Sequence, residues 1–246
     1  MNVQTVSLDV PYLTTRQMVE VDRAMIEDFR IELIQMMENA GRNLAHLARF
    51  RFLDGNPLGR RVIVLAGGGG NGGGALVAAR RLHNWGASVE VVLGQPISAM
   101  SKVPAHQLEI VRRLNIPVTA ASAAGYLNSA HVILDGLIGY GLNGAPHGTV
   151  ADLIRWANVQ NAPILALDVP SGIDTTNGTV FDPAIRAAAT MTLALPKEGL
   201  RAKGVERLVG ELYLADISVP PSLYRRPPLN IRVQPLFACE EVIRLR

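Results

Sequence analysis

Short apolar runs that do not alternate with polar residues recur along the chain, and they restrict the possible folds more than any other feature. Strands of this kind are buried on both faces, as in a parallel sheet covered by helices. The runs occupy residues 61–66, 88–94, 131–136, 163–170, 191–196 and 211–217. Helical patterns at 75–86, 107–115 and 149–160 separate several of them. This alternation predicts an α/β fold with a doubly wound, Rossmann-like, mostly parallel sheet and helices on both faces.

Two amphipathic helices are predicted before the first strand. Thr14 and Gln17 fit a capping box, and apolar residues follow at helical spacing. They are Met18, Val21, Met25 and Phe29 in the first helix and Leu33, Met37, Ala40, Leu44 and Leu47 in the second. This N-terminal two-helix extension needs a surface to cover, either the sheet or another subunit. We predict one domain over residues 1–246, with a core at 12–220 and an irregular C-terminal tail at 221–246.

The composition restricts the classes of partner and the cellular compartment that we expect for the protein. The chain of 246 residues carries 24 Lys and Arg against 21 Asp and Glu, and the basic residues form no continuous stripe, so nucleic-acid binding is not expected. Cys239 is the only cysteine, which excludes an intrachain disulfide and favours a reducing compartment. Without an apolar stretch of 18 residues or a secretory signal, we expect a cytoplasmic protein that does not enter a membrane.

Residues 66–76 read AGGGGNGGGAL and directly follow the first predicted strand. A flexible linker would not be flanked so closely by a strand and a helix. Glycine lets a ligand approach the backbone, and the start of the next helix offers free amides to a phosphate group. The stretch therefore predicts a binding turn for a phosphorylated molecule or a nucleotide. It is not a P-loop, because no Gly-Lys-Ser/Thr follows, and the second strand lacks the usual Rossmann acid at its end.

Three later strands are predicted to end in residues that can carry chemistry. Asp135 precedes a second glycine-rich stretch at 136–148, Asp168 opens the segment DVPSGID, and Lys197 lies in LPKEGL. Ligands of open parallel sheets bind outside the carboxyl ends of the strands, where these segments would meet. Each residue alone could equally well cap a loop. Together, at one edge and beside two glycine-rich stretches, they predict a functional site.

Motifs along residues 12 to 220 are similar to those of one known family. LTTRQMVEVDRAMIE and LIQMMENAGR resemble its N-terminal helices, and VIVLAGGGGNGGGALVAARRL resembles its glycine loop. DGLIGYGL, LALDVPSGID, LALPKEGL and GELYLADISVP resemble its later segments. The chain thus resembles the YjeF N-terminal family, whose enzymatic members are NAD(P)H-hydrate epimerases. In its glycine loop Asn71 is kept, whereas Gly70 and Gly74 stand where the family usually has Asn and Asp.

The resemblance implies a site that binds hydrated NADH or NADPH near a potassium ion. The implied substrate-binding residues are Gly70, Asn71, Gly72, Gly73, Gly74, Gly139, Tyr140, Gly141, Leu142, Asn143, Gly144, Ala145, Asp168 and Lys197. Asn71, Asp135 and Ser171 are the implied potassium ligands, and their amide, carboxylate and hydroxyl oxygens are of the kind that suits a hard cation. For Ser171 the alternative is a turn residue bonded to its own backbone. For Lys197 the alternative is a surface lysine.

The activity implied by the resemblance is interconversion of the R and S hydrates, a metabolite-repair reaction. The ring nitrogen of the hydrate can expel the hydroxyl on the adjacent carbon, and water can then add to the other face. We assign the proton transfers to Asp168, with a fixed hydrogen-bond acceptor as its alternative role. A homodimer and a separate dehydratase acting on the product are the implied partners. The alternative function is a non-catalytic, nucleotide-binding or dimerising scaffold, which the glycines at positions 70 and 74 would fit.

Overall fold

The computed structural model describes residues 10–120 and 129–246, and eight strands within these ranges form one sheet. The strands are β1 Arg61–Ala66, β2 Ser88–Leu93, β3 Val118–Ala120, β4 Val132–Gly136, β5 Ile164–Leu167, β6 Ala189–Leu193, β7 Glu211–Ala215 and β8 Val242–Arg244. Their order across the sheet is β3-β2-β1-β4-β5-β6-β7-β8. Strands β1 to β7 run parallel, and β8 runs antiparallel to β7. The predicted doubly wound, mostly parallel α/β fold is therefore confirmed.

The helices of the described ranges cover both faces of this sheet. The α-helices are α1 Thr15–Glu27, α2 Leu33–Phe52, α3 Gly70–Asn84, α4 Lys102–Arg113, α5 Gly148–Asn158, α6 Glu206–Val209 and α7 Pro221–Tyr224, and short 3₁₀ helices span Ile97–Ala99 and Glu198–Arg201. Val62 of β1 lies in one core cluster with Leu76 of α3. The next residue, Ile63, lies in another cluster with Leu153 of α5. Since neighbouring residues of a strand face opposite sides, both must be apolar, and the strand shows no alternation.

Helix α3 begins five residues before its predicted start, so much of the glycine-rich stretch is helix rather than turn. Glycine is a poor helix former, but close tertiary contacts outweigh that preference here. A Cβ on Gly72 would lie 1.8 Å from the carbonyl oxygen of Gly67, so this turn of helix tolerates no side chain. At its other end α3 stops at Asn84, and Gly86 follows with a φ of +89°, in the left-handed region typical of residues just past a helix.

Other element boundaries also differ from the prediction. Helix α4 begins at Lys102 instead of residue 107, because Pro104 is compatible with the first turn of a helix. The strands predicted at 163–170 and 191–196 are shorter or shifted, as β5 and β6. Strand β3 was not predicted, because it has only three residues at the sheet edge and carries no apolar run.

The two N-terminal helices pack on their own chain. The predicted capping box is present, with the backbone N–H of Gln17 donating to Thr14 Oγ1 at 3.2 Å and that of Thr14 donating to Gln17 Oε1 at 2.9 Å. Met18 and Met25 are buried in a cluster that includes Leu214 of β7. Of the two surfaces expected for this extension, the sheet is the one observed. No helix in the described ranges is long and apolar enough to cross a membrane.

The C-terminal tail is more ordered than predicted. It contains the short helix α7 and strand β8, which pairs with β7 and puts Ile243 opposite Leu214. Val242 and Ile243 are buried, so the tail covers what would otherwise be an exposed sheet edge. A strand of three residues is too short to reveal itself by periodicity, and the prediction of an irregular tail at 221–246 was wrong in this respect.

Helices α2 and α3 approach each other backbone to backbone. A Cβ on Gly41 would lie 2.4 Å from the carbonyl oxygen of Gly74 and 2.4 Å from Cβ of Val77. These atoms cannot move aside independently, because they belong to the backbone or lie next to it. The glycine of the MENAGR motif therefore sets the distance between the two helices.

Gly41→Ala is expected to lower the free energy of unfolding by about 1–3 kcal/mol, the usual cost of overpacking a core. The midpoint of urea unfolding measures this loss. Gly70→Ala is the matched control, since the nearest atom to its added Cβ would be Met37 Cε at 3.9 Å. Equal losses in both variants would contradict the packing argument.

Candidate active site at the carboxyl edge of the sheet

A cavity of about 460 Å³ lies between the N-terminal helices and the carboxyl ends of the strands. We call the two sides the helix wall and the strand wall. The helix wall consists of Met18, Asp22, Leu33, Met36, Met37 and Ala40. The strand wall consists of residues 69–71, 137–141, 167–168, 193, 197 and 217. The cavity is thus mostly apolar, with a few polar groups at defined positions, as is usual for a small-molecule site.

The structure brings together only part of the implied substrate-binding set. Gly70, Asn71, Gly139, Tyr140, Gly141, Asp168 and Lys197 line the cavity. The glycines at 72, 73 and 74 are buried inside α3 and do not line it. Residues 142 to 145, which are Leu142, Asn143, Gly144 and Ala145, lie outside its wall and are largely exposed. Substrate contact stays a prediction for all fourteen implied residues.

Asp168 and Lys197 form a buried ion pair in the strand wall. Lys197 is fully buried, so the alternative of a surface lysine was wrong. Its ammonium group donates to Asp168 Oδ1, and also to the carbonyl oxygen of Leu193 at 2.9 Å and to Thr192 Oγ1 at 3.3 Å. Oδ2 of Asp168 accepts from the backbone N–H of Tyr140 at 3.1 Å. The carboxylate is therefore held from two sides and neutralised inside the cavity wall.

Asp168 also has an unusual backbone conformation. It follows β5 directly and has a φ of +66°, in the left-handed region that few non-glycine residues adopt. Its backbone N–H is held by the carbonyl oxygen of Met191 in β6 at 2.7 Å. Strain of this kind costs on the order of 1–3 kcal/mol and is concentrated at functional sites. The conformation turns the carboxylate away from the strand and towards Lys197.

Asp135 and Ser171, two of the implied potassium ligands, are hydrogen-bonded to each other. Asp135 Oδ1 accepts from Ser171 Oγ at 2.7 Å and from the backbone N–H of Leu137 at 3.1 Å, while Oδ2 accepts from the backbone N–H of Ser171 at 2.8 Å. The Ser171 hydroxyl accepts from the backbone N–H of Ile138 at 2.9 Å. Ser171 thus joins two loops instead of bonding its own turn. Complete burial raises the pKa of Asp135 to about 6.

Asn71, the third implied ligand, lies in the first turn of α3 and touches both neighbouring strand ends. Its amide nitrogen donates to the carbonyl oxygen of Leu167 at 3.1 Å. A Cβ on Gly139 would lie 3.4 Å from Asn71 Oδ1, which accepts no hydrogen bond from any described residue. The amide oxygen of Asn71 and the buried carboxylate of Asp135, which contacts no described basic side chain, are the kinds of oxygen ligand that suit a hard cation.

Sequence reasoning missed Asp22, the carboxylate of the helix wall. Asp22 Oδ2 accepts a hydrogen bond from the hydroxyl of Tyr140. Burial raises the pKa of Asp22, and burial together with the charge of Asp22 raises the pKa of Tyr140. A signal was present in the sequence, because Asp22 stands four residues after Met18 and three before Met25, on the apolar stripe of α1.

A doubly wound sheet with a cleft at its strand ends and a glycine-rich helix start beside it is typical of nucleotide-binding α/β proteins. A family model described as YjeF-related protein N-terminus matches residues 33–199. The chain belongs to this family. The crystal structure of the yeast protein ynu0 has the same fold, with a TM-score of 0.81, 22% identity, and coverage of 96% of this chain and 100% of the yeast chain.

Sequence relatives are of two lengths. Proteins named NAD(P)H-hydrate epimerase include one from Dehalogenimonas lykanthroporepellens, 43% identical over 92% of this chain and 89% of its own length. Another, from Rhodopirellula baltica, is 32% identical, with 89% of each chain covered. A protein from Pyrobaculum aerophilum named bifunctional NAD(P)H-hydrate repair enzyme Nnr is 35% identical over 85% of this chain, but only 42% of its own length is matched.

Lys197→Met is expected to lower the free energy of unfolding by about 3–5 kcal/mol, because it leaves the Asp168 carboxylate buried without its partner charge. Adding Asp168→Asn should recover part of this loss, since no charge is then buried unpaired. Urea unfolding of the wild type, both single variants and the double variant measures the coupling. Losses that simply add would contradict the ion pair.

Proposed function

We propose that the protein is an NAD(P)H-hydrate epimerase, which interconverts the R and S forms of hydrated NADH or NADPH. The observation that carries the proposal is the Asp168–Lys197 pair, which lies in a cavity next to the start of α3. A relative that is 43% identical to this chain and is named NAD(P)H-hydrate epimerase also supports the proposal. The geometry and the similarity thus point to the same reaction.

The chemistry follows from the substrate and from the groups in the strand wall. Expulsion of the hydroxyl by the ring nitrogen requires a proton for the leaving oxygen, and addition of water releases one. Asp168 can give and take such protons, because its carboxylate is in the cavity wall and its backbone is fixed. Lys197 balances its charge, and the backbone N–H of Tyr140 orients it. The free amides at the start of α3 can receive a phosphate of the dinucleotide.

The glycines at positions 70 and 74 leave the other polar groups of the cavity in place. A Cβ on Gly74 would lie 3.0 Å from Leu167 Cδ2, so glycine fits the packing of this chain. Gly70 is exposed at the cavity and has open space around it. Since Asp168 and Lys197 are both present and paired, the site favours the enzyme over a non-catalytic scaffold.

A potassium ion bound by Asn71, Asp135 and Ser171 is part of the proposal. When bound, it would supply positive charge to residues from the first turn of α3, the end of β4 and the segment after β5. The support is the set of hard oxygen atoms, including the buried Asp135 carboxylate. The three residues would hold it, and Ser171 would keep the segments after β4 and β5 together.

A separate dehydratase that acts on the product, and assembly as a homodimer, complete the proposal. The dehydratase is supported by the relatives named bifunctional repair enzymes, which are longer than the region they share with this chain. The homodimer rests on the family resemblance alone. The apolar stripes of α1 and α2 give it no support, because they are covered within the chain.

Asp168→Asn is expected to slow conversion of the R hydrate to the S hydrate by a factor on the order of 10²–10⁴, the usual contribution of acid–base catalysis. Chromatographic separation of the epimers measures the rate, and binding of the hydrate should change little. If Asp168 is only a hydrogen-bond acceptor, binding should weaken while turnover of bound substrate survives.

The matched control is Asp152→Asn, which changes an exposed carboxylate on α5 that is not part of the cavity wall. Its rate should equal that of the wild type. A wild type that binds the hydrate but never interconverts the epimers would favour the scaffold alternative.

Potassium chloride should raise the thermal unfolding midpoint of the wild type above that in choline chloride at equal ionic strength, because an ion bound to the native state stabilises it. Asn71→Ala should abolish this difference. Asn84→Ala, at the exposed far end of the same helix, should keep it. A wild type with equal midpoints in both salts would contradict the ion site.

A further inference from the structure

Each wall of the cavity carries one carboxyl group. Asp168 belongs to the strand wall, and Asp22 belongs to the helix wall. Tyr140 joins the two, because its backbone N–H donates to Asp168 Oδ2 at 3.1 Å and its hydroxyl donates to Asp22 Oδ2. The length of a tyrosine side chain therefore separates the two carboxyl groups.

Asp22 keeps an oxygen free for a cavity molecule. Its Oδ2 is bonded to Tyr140, whereas its Oδ1 makes no hydrogen bond with any described residue. In Asp168 both oxygens are engaged, Oδ1 by Lys197 and Oδ2 by Tyr140. Burial also raises the pKa of Asp22, which favours a carboxyl group that can hold a proton.

The stereochemistry of epimerisation needs proton transfer at two places. The hydroxyl leaves from one face of the ring, and water must add to the opposite face. A carboxylate that is fixed on one side can reach only one of these oxygens unless the ring turns over in the cavity. Asp168 is fixed in this way by its backbone hydrogen bond to Met191 and its contact with Lys197.

We propose that Asp22 is the second acid–base group of the epimerase and serves the ring face opposite to the one served by Asp168; this inference rests on the proposed function. In one direction the Asp22 carboxyl gives its proton to the hydroxyl, and the C–O bond breaks. Water leaves as the nitrogen lone pair forms the C=N bond. A second water forms the new C–O bond on the other face, the C=N electrons return to nitrogen, and the water proton passes to the Asp168 carboxylate, which is ionised beside Lys197.

No oxidant or reductant is needed in this sequence, because one water leaves and one is added. The net change in the protein is a proton moved from Asp22 to Asp168, and the reverse reaction or exchange with solvent restores it. Tyr140 is a positioning residue in this scheme, because it holds one oxygen of each carboxyl group.

Oxygen exchange tests the inference. Each purified epimer is incubated in ¹⁸O-labelled water with the wild type, Asp22→Asn and Asp168→Asn, and both conversion and label in the unconverted epimer are measured after subtraction of the uncatalysed background. Both variants should lose interconversion by a factor on the order of 10²–10⁴. Each should still exchange the hydroxyl of one epimer on its remaining face, and the two variants should label opposite epimers.

Several outcomes would overturn the inference while the proposed function stands. These are an Asp22→Asn variant that interconverts the epimers as fast as the wild type, one that labels both epimers equally, and one that labels neither. A wild type that does not interconvert the epimers would overturn the proposed function itself, and the inference with it. Asp152→Asn serves again as the control and should match the wild type in conversion and label.

Tyr140→Phe separates proton transfer by Asp22 from positioning. This variant keeps the ring and the backbone N–H but removes the hydroxyl that contacts Asp22. If Asp22 transfers the proton, Tyr140→Phe should retain labelling of both epimers, with a smaller loss of rate than Asp22→Asn. If Tyr140→Phe reproduces the one-sided labelling of Asp22→Asn, the tyrosine hydroxyl is the transferring group and the assignment to Asp22 is wrong.

Discussion

The ion pair between Asp168 and Lys197 is the contact on which the arrangement of the site depends. Charges buried this deeply are costly unless they are paired and their remaining hydrogen-bonding positions are filled. Here Thr192 and the carbonyl oxygen of Leu193 fill them, both from the end of β6. The residues on either side of Lys197 are bonded to Leu13, whose N–H donates to the carbonyl oxygen of Pro196 at 2.8 Å and whose carbonyl oxygen accepts from the N–H of Glu198 at 2.9 Å. Through Leu13 and the Asp168–Lys197 pair, the N-terminal segment is therefore connected to the ends of β5 and β6.

The site combines local strain with very close packing around it. Asp168 has a left-handed backbone, and a residue in that conformation persists only where its surroundings determine it. The start of α3 provides part of those surroundings, because Asn71 donates to the carbonyl oxygen of Leu167, directly before Asp168. That contact in turn requires α3 to sit against β1 and α2, which Gly72 and Gly41 permit by having no side chain. Glycine disfavours a helix, but Gly41 and Gly72 allow the close packing that holds the Asp168 carboxylate in place.

The sequence predicted the sheet well, because strands buried on both faces must be apolar throughout, and it placed Asp135 and Asp168 correctly at the ends of β4 and β5. Lys197 was predicted to end a strand but lies four residues beyond the end of β6. It did not predict that the glycine-rich stretch is helical, because helix propensity argues against it and only tertiary contacts decide otherwise. The burial of Lys197 and its pairing depend on residues from several distant segments. Asp22 was missed because it stands alone among apolar residues on α1, without a motif of its own.

The role of Asp22 follows from the geometry of parallel sheets. All carboxyl ends of β1 to β7 lie at the same edge, so the loops that follow them can build only one side of a cavity. Chemistry that changes one face of a ring for the other needs groups on two sides. The N-terminal helices supply the missing side, and Asp22 is the acidic residue that they contribute to it. The extension that precedes the sheet is on this view half of the active site, and its attachment through Leu13 to the loop of Lys197 keeps the two halves in register.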